Sequence, residues 1–320
     1  MIQLELVHSL PLEEFLLTRC VFSPDGASLA VGHKQFQTYD AETGTARASF
    51  SFPELLAQLV YSPDGRFLAA ANVGDNHPST RGRVALFEAS SGVLLWDAGA
   101  AQAVETCAFR SGNPLSLFWN AGSAISGSDC QPPSELAAVS LPQFQLRALA
   151  CSPHGFVCFG REAQGSVRQV EGADLVFRKF RVLSLDADGA LRRDFDLGIG
   201  AGVHVLSPDG RLLAAEMVDF KNNERHVSLI DVETGVEANL LQLEANTLPV
   251  LAFGSGSEFL LCMKEDAEAN YNLIRLWRTS DLKLIGEVQV DLGFHALATC
   301  LEHSLIACLG SGRLDTFALT

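Results

Sequence analysis

Eight histidines and eight cysteines are the residues of this chain best suited to chemistry near neutral pH, and their spacing limits what they can do. A nucleophilic triad needs a Ser or Cys within reach of an oriented His. No Gly-x-Ser-x-Gly element occurs, and Ser23, Ser62, Ser152 and Ser207 each stand at the head of a Pro-containing turn. Metal ligation requires clustered His, Cys or carboxylate, yet the histidines are scattered and no cysteine pair has C-x-x-C spacing. Glu265-Asp266-Ala267-Glu268 lacks the spaced oxygens and the glycine of a calcium loop and reads as a solvated acidic loop. No glycine-rich phosphate cradle opens a helix. These absences predict a protein without metal, cofactor or catalytic site.

Composition narrows the class. Hydrophobic residues make up 48% and charged residues 19%, which excludes general disorder and a solvated coiled coil. The net charge of −15 argues against nucleic acid and anionic membrane surfaces as partners. No apolar run is long enough to span a bilayer, and the amino terminus carries acid where a signal peptide needs base. Cys20, Cys107, Cys151, Cys158, Cys262, Cys300 and Cys308 lie among Ala, Val, Leu and Phe, where a thiol packs as a small hydrophobe; Cys130 stands in a polar stretch read as a loop. A cytoplasmic protein with reduced thiols is expected.

The elements that would position any site are repeats. Phe22-Ser23-Pro24-Asp25-Gly26, Tyr61-Ser62-Pro63-Asp64-Gly65 and Leu206-Ser207-Pro208-Asp209-Gly210 are each followed by an apolar run, and then by a third run ending in Tyr39-Asp40, Phe87-Glu88 or Ile230-Asp231. Weaker copies begin at Ser111, Ser152, Gly254 and Cys300, giving seven units spaced by about 46 residues. In each, Pro presets a turn angle, Asp bonds its own backbone and Gly takes a positive φ, so the chain reverses. Four antiparallel strands per unit make a sheet too thin to survive alone, and such sheets stack about a common axis. The fold class is therefore all-β: a seven-bladed β-propeller of four-stranded antiparallel blades, one domain over residues 1–320. The last unit holds three strands, and the N-terminal strand Ile2–Val7 is expected to complete it and close the ring.

This organisation resembles the WD-repeat β-propellers over essentially the whole chain, in a divergent, bacterial-type form. Third-strand ends Tyr39-Asp40, Phe87-Glu88, Leu185-Asp186, Ile230-Asp231 and Trp277-Arg278 stand where that family has Trp-Asp, whereas Trp96-Asp97 falls in a fourth strand. The family's Gly-His element has no counterpart, and Ser-Pro-Asp-Gly also occurs in TolB-like and lactonase-like propellers, so the subfamily stays open. His204 and His295 fall in first strands, which line the channel, and read as wall packing.

Second-to-third connections are short in blades one and seven. They read as long in blades two to six, over Val73–Arg83, Gly122–Pro133, Arg161–Lys179, Val218–Arg225 and Lys264–Asn272; connections have a median near ~4 to 6 residues, and longer ones are more often functional or disordered. These five form a crown whose aromatics and cations, Phe220, Lys221, Asn222, Tyr271, Arg178 and Lys179, are the expected partner-binding residues. The reading is a non-catalytic protein-protein interaction scaffold or adaptor with a protein partner. The alternatives are a propeller hydrolase or lactonase with its site at the channel mouth, or a structural subunit of a larger assembly.

Overall fold

A computed structural model describes residues 4–12, 19–32, 35–52, 56–72, 82–100, 103–120, 122–152, 154–170, 173–198, 200–219, 222, 224–243, 249–254, 257–266, 271–291, 294–300, 303–310 and 312–319. Regular structure there is β-strand, in seven four-stranded antiparallel sheets and one two-stranded hairpin. The chain divides into two compact units, residues 1–104 with 246–320, and residues 105–245.

In the first unit, sheet one is Arg19–Phe22, Ser28–Gly32, Gln35–Asp40 and Ala46–Ser51, and sheet two is Leu56–Tyr61, Phe67–Asn72, Gly82–Glu88 and Leu94–Ala100. Sheet six is Val250–Phe253, Phe259–Asp266, Tyr271–Arg278 and Lys283–Asp291. Sheet seven is Phe294–Cys300, Leu305–Gly310 and Arg313–Leu319, with Leu4–Pro11 as its outer strand. Second strands such as Phe67–Asn72 are buried along their whole length, because a sheet stacked on both sides has no solvent face to alternate with. Sheets one and two meet through Phe36 stacked on Phe50, centroids 4.6 Å apart, with Phe87 edge-on to both. Such offset and edge contacts add about 0.5–1.5 kcal/mol beyond buried area.

The N-terminal strand does complete the last sheet. Its register runs from Leu4 opposite Leu319 to Pro11 opposite Arg313, so it extends beyond the expected Val7. Pro11 fits there because the strand is outermost, where a missing N–H leaves no ladder bond unmade. Ser9 Oγ donates to Asp315 Oδ1 at 2.6 Å, and His8 Nε2 lies 2.9 Å from the Ala41 carbonyl in a turn of sheet one.

In the second unit, sheet three is Cys107–Arg110, Ser116–Asn120, Ala124–Cys130 and Pro133–Ser140. Sheet four is Phe144–Ser152, Gly155–Glu162, Phe180–Asp186 and Leu191–Gly198; sheet five is Ala201–Leu206, Leu212–Asp219, Glu224–Asp231 and Glu237–Leu243. Sheets three and four share a core around Phe118, Phe144 and Phe156, and sheets four and five one around Phe159, Leu213 and Ile230.

Several expected loops are strand. Ala124–Cys130 is the third strand of sheet three, so Gly122–Pro133 is not a connection, and Cys130 is buried at a strand end. Val218 pairs with Arg225 and Asp219 with Glu224, leaving only 220–223 between strands. Lys264, Glu265 and Asp266 pair with Leu273, Asn272 and Tyr271, leaving 267–270. Arg161–Lys179 contains the hairpin Ser166–Val170 paired with Ala173–Phe177. Polar residues at strand ends imitate loops: the ladder continues there after the need for apolar side chains has stopped. Most of Val73–Arg83 lies outside the described residues.

Turns between third and fourth strands wedge against the preceding sheet. Gly92 has φ +75°, and a Cβ there would stand 2.5 Å from the Ser49 carbonyl on the outer strand of sheet one. Gly235 has φ +72°, and its Cβ would fall 2.6 Å from the ring of Phe195 on the outer strand of sheet four. Only glycine meets both demands.

Candidate functional site

Three of the serines that head the repeats are fully engaged in their turns, and Ser152, half-buried, only accepts the His154 N–H at 3.2 Å. Ser23, Ser62 and Ser207 donate to Oδ1 of Asp25, Asp64 and Asp209 at 2.5, 2.6 and 2.6 Å. Each hydroxyl also accepts the backbone N–H that opens the next strand, of Ser28, Phe67 and Leu212, at 2.9 Å. A hydroxyl locked in both roles closes a turn and attacks nothing. The acid at the third-strand end closes its turn in a comparable way. Asp40 Oδ1 accepts the Thr43 N–H at 2.8 Å, and Asp231 Oδ1 the Thr234 N–H at 2.7 Å. The Thr43 amide, followed by the Arg47 guanidinium, holds the Asp40 carboxyl well below the usual carboxylate range.

Among the described residues no group of three or more His, Cys, Asp or Glu side chains is arranged to hold a metal ion. His204 packs on the Phe159 ring, centroids 4.2 Å apart, with Nδ1 2.9 Å from the Gly202 carbonyl. Burial pushes its pKa down, so the ring is neutral at pH 7 and acts as wall packing. The side chain of His295 lies outside the described residues.

Among the described residues a group of polar and cationic side chains gathers at the second-to-third end of sheet four. Gln145 on the first strand faces Arg161 on the second in register, and Arg178 lies just before the third strand. Both guanidinium groups converge on one neutral oxygen: Arg161 Nε donates to Gln145 Oε1 at 2.9 Å and Arg178 Nη1 to the same atom at 3.2 Å. Arg147 stands two residues on, where the ladder with the second strand is interrupted by a bulge between Leu146 and Ala148, and pairs with Glu105. Burial first, then the charges of Arg147 and Arg178, lowers the Arg161 pKa. The neighbouring cations are matched differently. Lys179 pairs with Asp196, and Arg181 with Asp194 and, at 3.8 Å, with Glu162. Among the described residues no carboxylate pairs with Arg161 or Arg178. The hairpin Ser166–Val170 and Ala173–Phe177 belongs to this same connection and joins no four-stranded ladder.

Of the six residues expected to bind a partner, Arg178 joins this cluster, half-buried, and Lys179 lies beside it, exposed. Asn222 is exposed on sheet five, its Nδ2 donating to Asp219 Oδ2 at 2.9 Å. Tyr271 is half-buried and pairs in register with Asp266 and Asp291 in sheet six. Phe220 and Lys221 lie outside the described residues. Gln145, Arg147 and Glu105 were not singled out by sequence. The alternation of Gln145 and Arg147 in an otherwise apolar first strand is the signal that marks them.

No family model and no curated protein matches the chain. Among solved structures, it is similar to the Cps50 (Swd1) β-propeller domain of Myceliophteria thermophila, with 14% identity and a TM-score of 0.71, covering 99% of this chain and 100% of that one. It is similar as well to the hydrazine synthase of Kuenenia stuttgartiensis, with 13% identity and a TM-score of 0.71, covering 97% of each chain. At such identities the likeness establishes the fold, a seven-bladed β-propeller. One of these two proteins is an enzyme, so the fold alone does not assign a role.

Proposed function

We propose that this chain is a non-catalytic interaction module, a WD-repeat-like scaffold or adaptor that docks a protein partner at the second-to-third end of sheet four. The observation that carries this is the inserted hairpin, Ser166–Val170 with Ala173–Phe177. Sheet four is complete with four strands, so ordering roughly a dozen further residues, at about 1–2 kcal/mol each of backbone entropy, adds nothing to the ladder it interrupts. Long connections of this kind on a rigid scaffold carry binding. A preformed surface also loses little ordering entropy on association. None of the eight cysteines is joined in a disulfide, which is consistent with action in the reducing cytoplasm. No helix among the described residues is long and apolar enough to cross a membrane.

The test is to replace residues 165–177 by a short Gly-Ser link and compare native pull-downs. The shortened chain is expected to melt close to the parent and to lose its partner. Capture of the same partner at the same yield would overturn the assigned surface. Turnover on a lactone and aryl-ester panel that disappears in His204→Ala would overturn the non-catalytic reading.

A further inference from the structure

From the convergence of Arg161 and Arg178 on the single amide oxygen of Gln145, with Arg147 alongside, we infer that this end of sheet four binds the carboxylates of an acidic segment of the partner. The inference rests on the interaction-module reading above and names the chemistry of what docks there.

Three guanidinium groups gather here, and the one described carboxylate that pairs with any of them is Glu105, on Arg147. Like charges held together are unfavourable unless something opposes them. Gln145 opposes them only weakly, with one planar, partly negative oxygen placed between two forks. A carboxylate is the charged counterpart of that amide, with a second oxygen to accept from the donors an amide cannot serve, and guanidinium forks bind it in bidentate fashion. Arg147, Arg161 and Arg178 are all part-exposed, so a ligand reaches them without opening the core.

The setting sharpens the assignment. The chain carries a net charge of −15, and an acidic segment is repelled by most of its surface. Attraction therefore has to come from a local group of cations not already neutralised. Lys179 and Arg181 are neutralised, by Asp196 and by Asp194 with Glu162; Arg161 and Arg178 form no ion pair with a carboxylate among the described residues, and Glu105, paired with Arg147, acts on Arg161 only as a more distant charge.

The probe is a fluorescein-labelled hexaglutamate peptide titrated with the full chain at low ionic strength and followed by anisotropy, with hexalysine and inorganic phosphate run in parallel. Saturable hexaglutamate binding that weakens at physiological salt is expected, with a loss of at least about tenfold in Arg178→Gln and in Arg161→Gln, each worth about one charge-assisted pair. Gln145→Glu places a carboxylate inside the cluster. It is expected to abolish peptide binding while raising the melting temperature, which a variant that merely damages the fold cannot do. Absence of hexaglutamate binding, equal binding by Arg178→Gln, tight phosphate binding in its place, or a Gln145→Glu protein that melts lower and still binds would each overturn the inference. Hexaglutamate binding needs no natural partner. Its failure while the pull-down still depends on the hairpin would therefore remove the acidic-segment assignment and leave the docking surface standing.

Discussion

Replacing Ser62 by Ala isolates what the repeated turn contributes. The hydroxyl is fully buried; it donates to Asp64 Oδ1 at 2.6 Å and accepts the N–H of Phe67 at 2.9 Å. Asp64 is exposed and still accepts the Arg66 N–H at 3.2 Å, so water makes good most of its loss. The Phe67 N–H has no such recourse, being buried beside a hydroxyl that no longer exists. An orphaned buried amide costs about 1–3 kcal/mol, and about 2 kcal/mol lowers the folding constant by roughly 30-fold. The assay is the urea midpoint followed by tryptophan fluorescence, with the slope held against the parent. Ser207→Ala, in the same circuit, should fall by the same amount. Ser152 is the control: it is only half-buried and its hydroxyl accepts the His154 N–H at a longer 3.2 Å. Ser152→Ala should stay within about 0.5 kcal/mol of the parent. Equal shifts for Ser62→Ala and Ser152→Ala, or no shift for the former, would refute the argument that the buried hydroxyl holds the turn.

Two further outcomes follow from burial and from turn geometry. Burial pushes the Cys107 thiol up to about 12 and raises those of Cys151, Cys158 and Cys308. The unfolded chain titrates its thiols near ~8.5, so above that pH it releases protons that the native state keeps. Stability is therefore intact below about pH 8 and falls as pH rises, by up to about 1.4 kcal/mol per pH unit for each thiol. Urea midpoints between about pH 7 and 10 read this directly, and a flat profile, or native-state labelling of these thiols, would contradict it. Gly235→Ala sets a methyl 2.6 Å from the Phe195 ring at φ +72°, whereas Gly65→Ala at φ +71° meets nothing nearer than Pro24 Cδ at 3.7 Å. Both incur the left-handed strain of about 1–2 kcal/mol, and Gly235→Ala should lose a further 1–3 kcal/mol, roughly, from overpacking. Thermal melts that place the two together would contradict the wedge.

The repeats were legible because each turn states its own chemistry. Ser, Pro, Asp and Gly at fixed offsets recur at 23–26, 62–65 and 207–210, and each of the four has a separate local role in the backbone. The all-β class, the seven sheets and the N-terminal strand that completes the last of them followed from that. Strand ends were less legible. Asp219, Glu224, Lys264, Glu265 and Asp266 belong to ladders, but polarity signals solvent, not the end of backbone pairing, so polarity alone overstates the crown of long loops. Cys130 misled for the same reason: its polar neighbours Asp129 and Gln131 flank a buried strand terminus. At the candidate site, Arg178 and Lys179 stand out in sequence as part of an aromatic-cation cluster. Gln145 lies 33 positions before Arg178 in the chain, and only the pairing of the strands brings it and Arg147 to them.

The glycine turns that press on the neighbouring sheet divide each repeat into two ends with different freedoms. Where Gly92 sits on Ser49 and Gly235 on Phe195, one added residue would lever adjacent sheets apart, so length there is fixed by geometry. Among the described residues the opposite margin bears no glycine turn of this kind, and its connections differ as widely as four residues at 220–223 and a whole hairpin at 166–177. Variation in the length of this chain is thereby channelled to one margin, where a segment can be gained, lost or rewritten without any sheet having to shift.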